Sequence, residues 1–186
     1  MRILKEAHTI FAEDCRHTSK LTTHYGIATP LVSYHQHNES QRSESILSLL
    51  SRGLPVALVS DAGSPGVSDP GAVAVAAAIA AGHAVVPVPG PSAAVAAVTA
   101  SGLPSDAFLF LGFLPAKRAA RLKALEALRT RVTVRPAHCF LEAKWPHVVN
   151  AVPLAGQAAE GETLVCLGFL CVSFIYSQKM IAVMCD

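Results

Sequence analysis

The chain is poor in charge and in aromatic residues. Only 15% of its 186 residues are Asp, Glu, Lys or Arg, 6% are aromatic, and there is a single tryptophan. The net charge of +2 is too small by itself to argue for nucleic acid. An apolar content of 52% excludes a disordered chain and leaves enough material for one sizeable core. The five cysteines (Cys15, Cys139, Cys166, Cys171, Cys185) contain no C-x-x-C pair. With an odd count and wide spacing they argue for a reducing compartment rather than a disulfide framework. No G-x-G-x-x-G, G-x-x-x-x-G-K-[ST] or G-x-S-x-G occurs, so the dinucleotide, P-loop and serine-hydrolase readings have no support. The uncharged run from Thr163 to Gln178 falls slightly short of the 18 to 20 residues a membrane helix needs. A buried strand pair is expected there, with a tail anchor as the alternative.

What the sequence does have is a central stretch from Leu54 to Ser92. Residues 55–60 form a continuous apolar run, as expected of a strand covered on both faces. A loop rich in Gly and Pro follows, then an alanine-rich helix ending at Gly82, a second apolar strand at 84–88 and a second such loop, Pro89-Gly90-Pro91-Ser92. The two strands are expected to be adjacent and parallel, so that their loops border a crevice at the carboxyl ends, where open α/β sheets bind ligands. Asp61 at the first strand tip can accept hydrogen bonds from a ligand amine or hydroxyl, and Gly63 lets a ligand approach the backbone. Equally, Asp61, Ser68 and Asp69 can serve only as turn and helix caps. Ser68 or Asp69 is expected to cap the following helix, with Pro70 in its first turn.

The rest of the chain repeats the rhythm. A helix end at 2–8, strands at 8–12 and 31–35 and helices at 17–25 and 38–52 precede the centre. Asn38 is expected to cap its helix with Gln41 as a capping box. After the centre come a helix from Ser92 to Gly102, a strand at 107–112 and an amphipathic basic helix at 117–129. The pattern then weakens to a strand at 138–143, a short helix at 145–152 and a linker at 155–161. Strands alternating with helices predict an α/β fold, a mostly parallel sheet with flanking helices, and an incomplete second domain. The expected divisions are 1–105, 106–154 and a hydrophobic tail at 155–186. Glu13-Asp14-Cys15-Arg16-His17 puts two carboxylates, a thiol, a guanidinium and an imidazole at one strand end, or makes a surface ion-pair loop. His35-x-His37 has no third ligand nearby in sequence, so no metal site is expected. Lys117, Arg118, Arg121 and Lys123 suit either a solvated face or a phosphate-facing one.

Six ordered motifs carry a specific resemblance over about residues 2–130. They are Ala12-Glu13-Asp14-Cys15-Arg16-His17-Thr18, His37-Asn38-Glu39, Val59-Ser60-Asp61-Ala62-Gly63-Ser64-Pro65 with Ser68-Asp69-Pro70-Gly71, Val88-Pro89-Gly90-Pro91-Ser92-Ala93-Ala94, Ser101-Gly102-Leu103-Pro104-Ser105-Asp106, and Gly112-Phe113-Leu114-Pro115-Ala116-Lys117. Together they closely resemble the tetrapyrrole methylase superfamily, in particular its branch that methylates a cytidine 2′-hydroxyl of small-subunit ribosomal RNA. The resemblance implies S-adenosylmethionine held in a cleft between two α/β domains, usually in a homodimer, with no membrane. It implies that Asp61, Ala62, Gly63, Ser64 and Pro65, with Pro89, Gly90, Ser92 and Ala93, line the methyl-donor pocket. Glu13, Asp14 and His37 are then candidates to take the hydroxyl proton. Arg16, Asn38 and Glu39 face the pocket or the RNA, and Lys117 and Arg121 contact phosphate.

Family members also begin with a strand and a loop of the type Gly-Thr-Pro-Ile-Gly-Asn-Leu, and their second domain continues past the point where this match fades. The sequence starts inside the helix expected after that loop, so an incomplete cleft, with activity in doubt, is expected. The competing readings are a non-catalytic RNA- or partner-binding remnant and a small-molecule tetrapyrrole methylase. The compartment expected is the bacterial cytoplasm, with a plastid or mitochondrial matrix as the alternative.

Overall fold

The computed structural model describes residues 1–101, 105–106, 108–131, 138–143, 165–168 and 181–185. The chain divides into two compact units, Met1–Ser92 with Ile175–Asp186, and Ala93–Phe174. The helix expected at 145–152 and the linker at 155–161 lie outside the described residues.

In the first unit, α1 (Arg2–Glu6) leads into β1 (Thr9–Ala12), α2 (Cys15–His24), β2 (Leu31–Ser33), α3 (Glu39–Leu50), β3 (Val56–Val59), α4 (Ala72–Ala80) and β4 (Ala84–Pro87). Both β1 and β3 are buried along their whole length, as their uninterrupted apolar runs require. One face packs Phe11, Leu58 and Val56 against Tyr34, Ile46 and Leu50. The other packs Ile10, Ala57 and Val59 against Leu4, Ala7 and Ile27. The odd and even residues of each strand thus serve opposite layers.

The second unit holds α5 (Ala93–Ala100), β5 (Phe108–Phe113), α6 (Arg118–Arg131), β6 (His138–Ala143) and β7 (Val165–Gly168). Its three strands run parallel in the order β5-β6-β7. β7 falls inside the uncharged run at 163–178, and among the described residues no helix is long and apolar enough to cross a membrane.

The first sheet departs from expectation in one respect. β1 pairs in parallel with β2 and β3, but β3 and β4 are not neighbours. A strand from the chain's end, β8 (Ile181–Cys185), lies between them, antiparallel to both, giving the order β2-β1-β3-β8-β4. Val183 sits opposite Ala57 on one side and Val86 on the other. Two strand spacings therefore separate β3 from β4, about 9.5 Å. β4 becomes an edge strand, which is where Pro87, lacking an N–H, can be accommodated.

Several helix starts also differ from expectation. α2 begins at Cys15 because Asp14 caps it, its carboxylate accepting from the Arg16 backbone N–H at 2.8 Å. α3 does begin after Asn38, but no side-chain capping bond forms. The Asn38 Oδ1 instead accepts from the His35 backbone N–H at 2.8 Å, and its Nδ2 donates to the Ser33 carbonyl at 3.3 Å. α4 begins at Ala72, and neither Ser68 nor Asp69 is its cap. The residue before it is Gly71 at φ 143°, a conformation outside the helical region that keeps Pro70 out of the first turn.

Candidate functional site

The carboxyl ends of β1, β2 and β3 converge because the three strands run parallel and in register. Each continues into a segment rich in polar side chains, and most of the candidate residues lie there. Glu13 and Asp14 follow β1, His37, Asn38 and Glu39 follow β2, and Asp61 to Pro65 follow β3. Backbone bonds carry the ladder past the strand ends, from Glu13 N–H to the Val59 carbonyl at 3.0 Å and from Tyr34 N–H to the Ala12 carbonyl at 2.8 Å. Pro89, Gly90 and Ser92 follow β4 at the same end of the sheet, on the far side of β8. Ala93 opens α5 in the second unit, as Lys117 and Arg121 precede and enter α6.

The loop from 60 to 71 is strongly bent. The fully buried Ser60 hydroxyl lies 3.2 Å from the Ala62 carbonyl and 3.3 Å from the Gly63 carbonyl, donating across the first turn. Further on, the Val67 N–H donates to the Ser64 carbonyl at 3.0 Å and the Gly66 N–H to the Pro70 carbonyl at 3.2 Å. Asp61, Ala62, Gly63, Ser64 and Pro65 are all part-exposed. The Asp61 carboxylate keeps about a third of its surface open, at 34%.

Two carboxylates from neighbouring strand ends reach this loop through its backbone. The Asp61 N–H donates to Glu13 Oε2 at 3.1 Å, and the Gly71 N–H donates to Glu39 Oε1 at 2.9 Å. The Tyr34 hydroxyl donates to the same Glu39 oxygen at 3.3 Å and lies 3.4 Å from the Ser43 hydroxyl. Burial, with Glu39 alongside, raises the Tyr34 phenol above its ordinary pKa, so it stays a donor.

Asp14 and Arg16 form a two-point ion pair, with Arg16 Nε donating to Oδ1 at 3.1 Å and an Arg16 terminal nitrogen to Oδ2 at 2.8 Å. The Arg16 side chain, and next its backbone N–H, hold the Asp14 carboxyl well below the usual carboxylate range. A depressed folded-state pKa adds stability above the ordinary carboxylate pKa of about 3.9, and loses it only as pH falls through the lower folded value. Arg16→Gln is expected to return the Asp14 carboxyl toward its ordinary range, read by carboxyl-carbon NMR titration. An unchanged titration would mean that the side-chain pair does not form in solution.

His17, one turn into α2, faces Asp61, with Nδ1 3.8 Å from Oδ2. Asp14, His17 and Asp61 bring ligand-type atoms within 4.8 Å of one another. Both Asp14 oxygens already accept from Arg16, which makes the cluster an ion-pair network around two strand tips. His17 belonged to the charged run visible in the sequence, but nothing in that run revealed that it faces a residue after β3. In the sequence Tyr34 is one residue of the strand expected at 31–35, and Gly71 closes the Ser68–Gly71 motif with no role of its own. Their roles depend on contacts with Glu39, and the sequence signal for Tyr34 was an ordinary strand aromatic. His37 is exposed, with its ring 5.9 Å from that of His35. Lys117 is exposed and Arg121 part-exposed on α6. An open hollow of about 490 Å³ between α3 and the β1–β2 edge, lined by Phe11, Val32, Arg42 and Leu49 among others, contains none of the candidate residues.

Comparison with known proteins adds the family. Residues 1–159 match the model of the Tetrapyrrole (Corrin/Porphyrin) Methylases. The chain is 50% identical over 135 residues to Ribosomal RNA small subunit methyltransferase I of Halalkalibacterium halodurans, covering 72% of this chain and 47% of that protein. It is 48% identical over 146 residues to the protein of the same name from Pseudomonas aeruginosa, covering 76% and 52%. A third, from Micromonospora olivasterospora, is 49% identical over 160 residues, covering 86% and 49%. The chain thus spans about half the length of the curated relatives it matches. With parallel strands whose loops cluster at one end of the sheet, and a family match over most of its length, the chain belongs to the tetrapyrrole methylase family.

Proposed function

We propose that this chain carries the donor-binding part of an S-adenosylmethionine-dependent methyltransferase acting on a ribose 2′-hydroxyl of small-subunit ribosomal RNA. The observation that carries the reading is the part-exposed Asp61 carboxylate in a Gly/Pro loop at the carboxyl end of β3, in a chain of this family. That set suits the donor: a carboxylate accepts from its amine or ribose hydroxyls, and a bent loop lets it approach the backbone. When bound, S-adenosylmethionine supplies an electrophilic sulfonium methyl. Asp61 with Ala62 to Pro65, and Pro89, Gly90, Ser92 and Ala93, are the residues proposed to hold it. Their task is to align it with the attacking oxygen, which is most of what such a displacement asks of a protein.

The proton has to go to a base. Glu13 and Asp14 are each engaged by hydrogen-bond donors, which favours the imidazoles of His37 and His17 for that role. Arg16, Lys117 and Arg121 are proposed to meet RNA phosphates, and Asn38 and Glu39 to shape the pocket wall. A homodimer and the bacterial cytoplasm, where ribosomal RNA is found, complete the reading.

Isothermal titration with S-adenosylmethionine tests it. The chain is expected to bind in the micromolar range, and Asp61→Ala to weaken binding by about tenfold or more, roughly 1.4 kcal/mol. A folded chain that binds no donor, or an Asp61→Ala variant that binds as well, would refute the assignment. Transfer of labelled methyl to small-subunit RNA but not to a tetrapyrrole would separate the RNA reading from the small-molecule one.

A further inference from the structure

We propose that Glu13 and Glu39 are positioning residues that clamp the 61–71 loop at its two ends, with the Tyr34 hydroxyl holding Glu39 in place. The functional half of this inference rests on the donor-binding reading of that loop.

Within the loop the Val67 N–H bonds the Ser64 carbonyl and the Gly66 N–H the Pro70 carbonyl. Internal bonds of this kind fix local turns but not where the loop stands on the sheet. The two end amides tie the loop to neighbouring elements. The first donates to a carboxylate 48 residues away, just after β1, and the second to a carboxylate 32 residues away, at the start of α3. Charged acceptors make shorter and stronger bonds to N–H groups than neutral ones do.

Both carboxylates are set for this use. Among the described residues neither Glu13 nor Glu39 pairs with an Arg, Lys or His side chain, in contrast to Glu6 with Arg2, Asp14 with Arg16 and Asp61 with His17. Both are part-buried, so neither is simply a solvated surface charge. Glu39 is further held by Tyr34, which is 1% exposed and packs in the core beneath α3 and α4. The clamp therefore connects the loop to the rigid centre of the sheet. Asp61 is presented at one clamped end and α4 begins at the other.

The test uses amide hydrogen exchange on the whole chain, with Glu13→Ala, Glu39→Ala, Glu39→Gln and Tyr34→Phe. Glu13→Ala is expected to speed exchange at Asp61, and Glu39→Ala at Gly71, each by about tenfold or more, with Ile10 and Phe11 in β1 unchanged. Glu39→Gln keeps an acceptor oxygen and should restore most of the protection at Gly71. Tyr34→Phe, which removes one hydroxyl and no bulk, should speed exchange at Gly71 and leave Asp61 as it was. Unchanged protection in the alanine variants overturns the clamp, as does loss that spreads to β1 or is not rescued by Gln. S-adenosylmethionine titration of the same variants gives the functional readout, with about tenfold weaker binding for the alanines and recovery with Gln. Lost loop protection with unchanged donor affinity overturns the positioning role. If the unaltered chain binds no donor, the donor-binding reading fails, while the exchange data still decide whether the clamp exists.

Discussion

Val183→Pro is expected to destabilise the first unit by about 2–3 kcal/mol, because proline removes a ladder hydrogen bond and strands a buried partner. Val183 is the middle residue of β8, which has a neighbour on each side, opposite Ala57 and Val86. A proline there meets a paired backbone whichever way its nitrogen faces, whereas Pro87 in β4 occupies a sheet edge. For a chain of this size the loss corresponds to a fall in Tm of roughly 5–10 °C. It should be accompanied by faster amide exchange at Ala57 and Leu58, and it is checked by thermal unfolding followed by exchange on the two chains. An unchanged Tm with β3 still protected would mean that β3 and β4 do not depend on β8 as a shared partner.

Gly71→Ala is expected to be comparably costly, and to abolish donor binding as well. Gly71 has φ 143°, a region that residues with a side chain rarely adopt. A Cβ built there would lie 2.9 Å from the Gly66 nitrogen, 3.0 Å from Leu58 Cδ2 and 3.2 Å from the Pro65 carbonyl carbon. Two of these three neighbours are backbone, which cannot rotate away. Strained backbone costs on the order of 1–3 kcal/mol, and overpacking costs a similar amount. Any shift that relieves the clash pulls the Gly71 N–H from Glu39 and opens the Gly66–Pro70 turn. Gly53→Ala is the matched control. Gly53 also has a positive φ, 68°, but its Cβ would meet nothing within 4 Å, so only a conformational cost of about 1 kcal/mol is expected. Urea unfolding and donor titration of both variants check the contrast. Equal stabilities would show that the loop relaxes around a side chain at 71.

Much of the fold is written locally. The run Val56-Ala57-Leu58-Val59 is apolar on both faces and becomes a strand buried on both faces. Gly53 and Gly82 stand just beyond α3 and α4, as the helix-ending role of glycine requires. Where local reading failed, a competing interaction took the residue that would have served. Asn38 has the right chemistry for a cap, but its amide is spent on His35 and Ser33. Asp14 reads as one charge in a polar run, yet its bond to the Arg16 N–H starts the helix inside that run. Asp69 and Ser68 are good cap types, but the chain passes them still turning through Gly71.

The sequence by itself determined the α/β alternation, the families of buried strand residues and the two Gly/Pro loops after β3 and β4. These depend on hydrophobic periodicity and turn chemistry, which act over a few residues. Only the tertiary structure decided that β8 separates β3 from β4, that Glu13 and Glu39 bond the ends of one loop, and that His17 faces Asp61. Each of these joins residues tens of positions apart or more. Such pairings are selected by which backbone groups and charges would otherwise be left buried without a partner, a condition that no local pattern expresses.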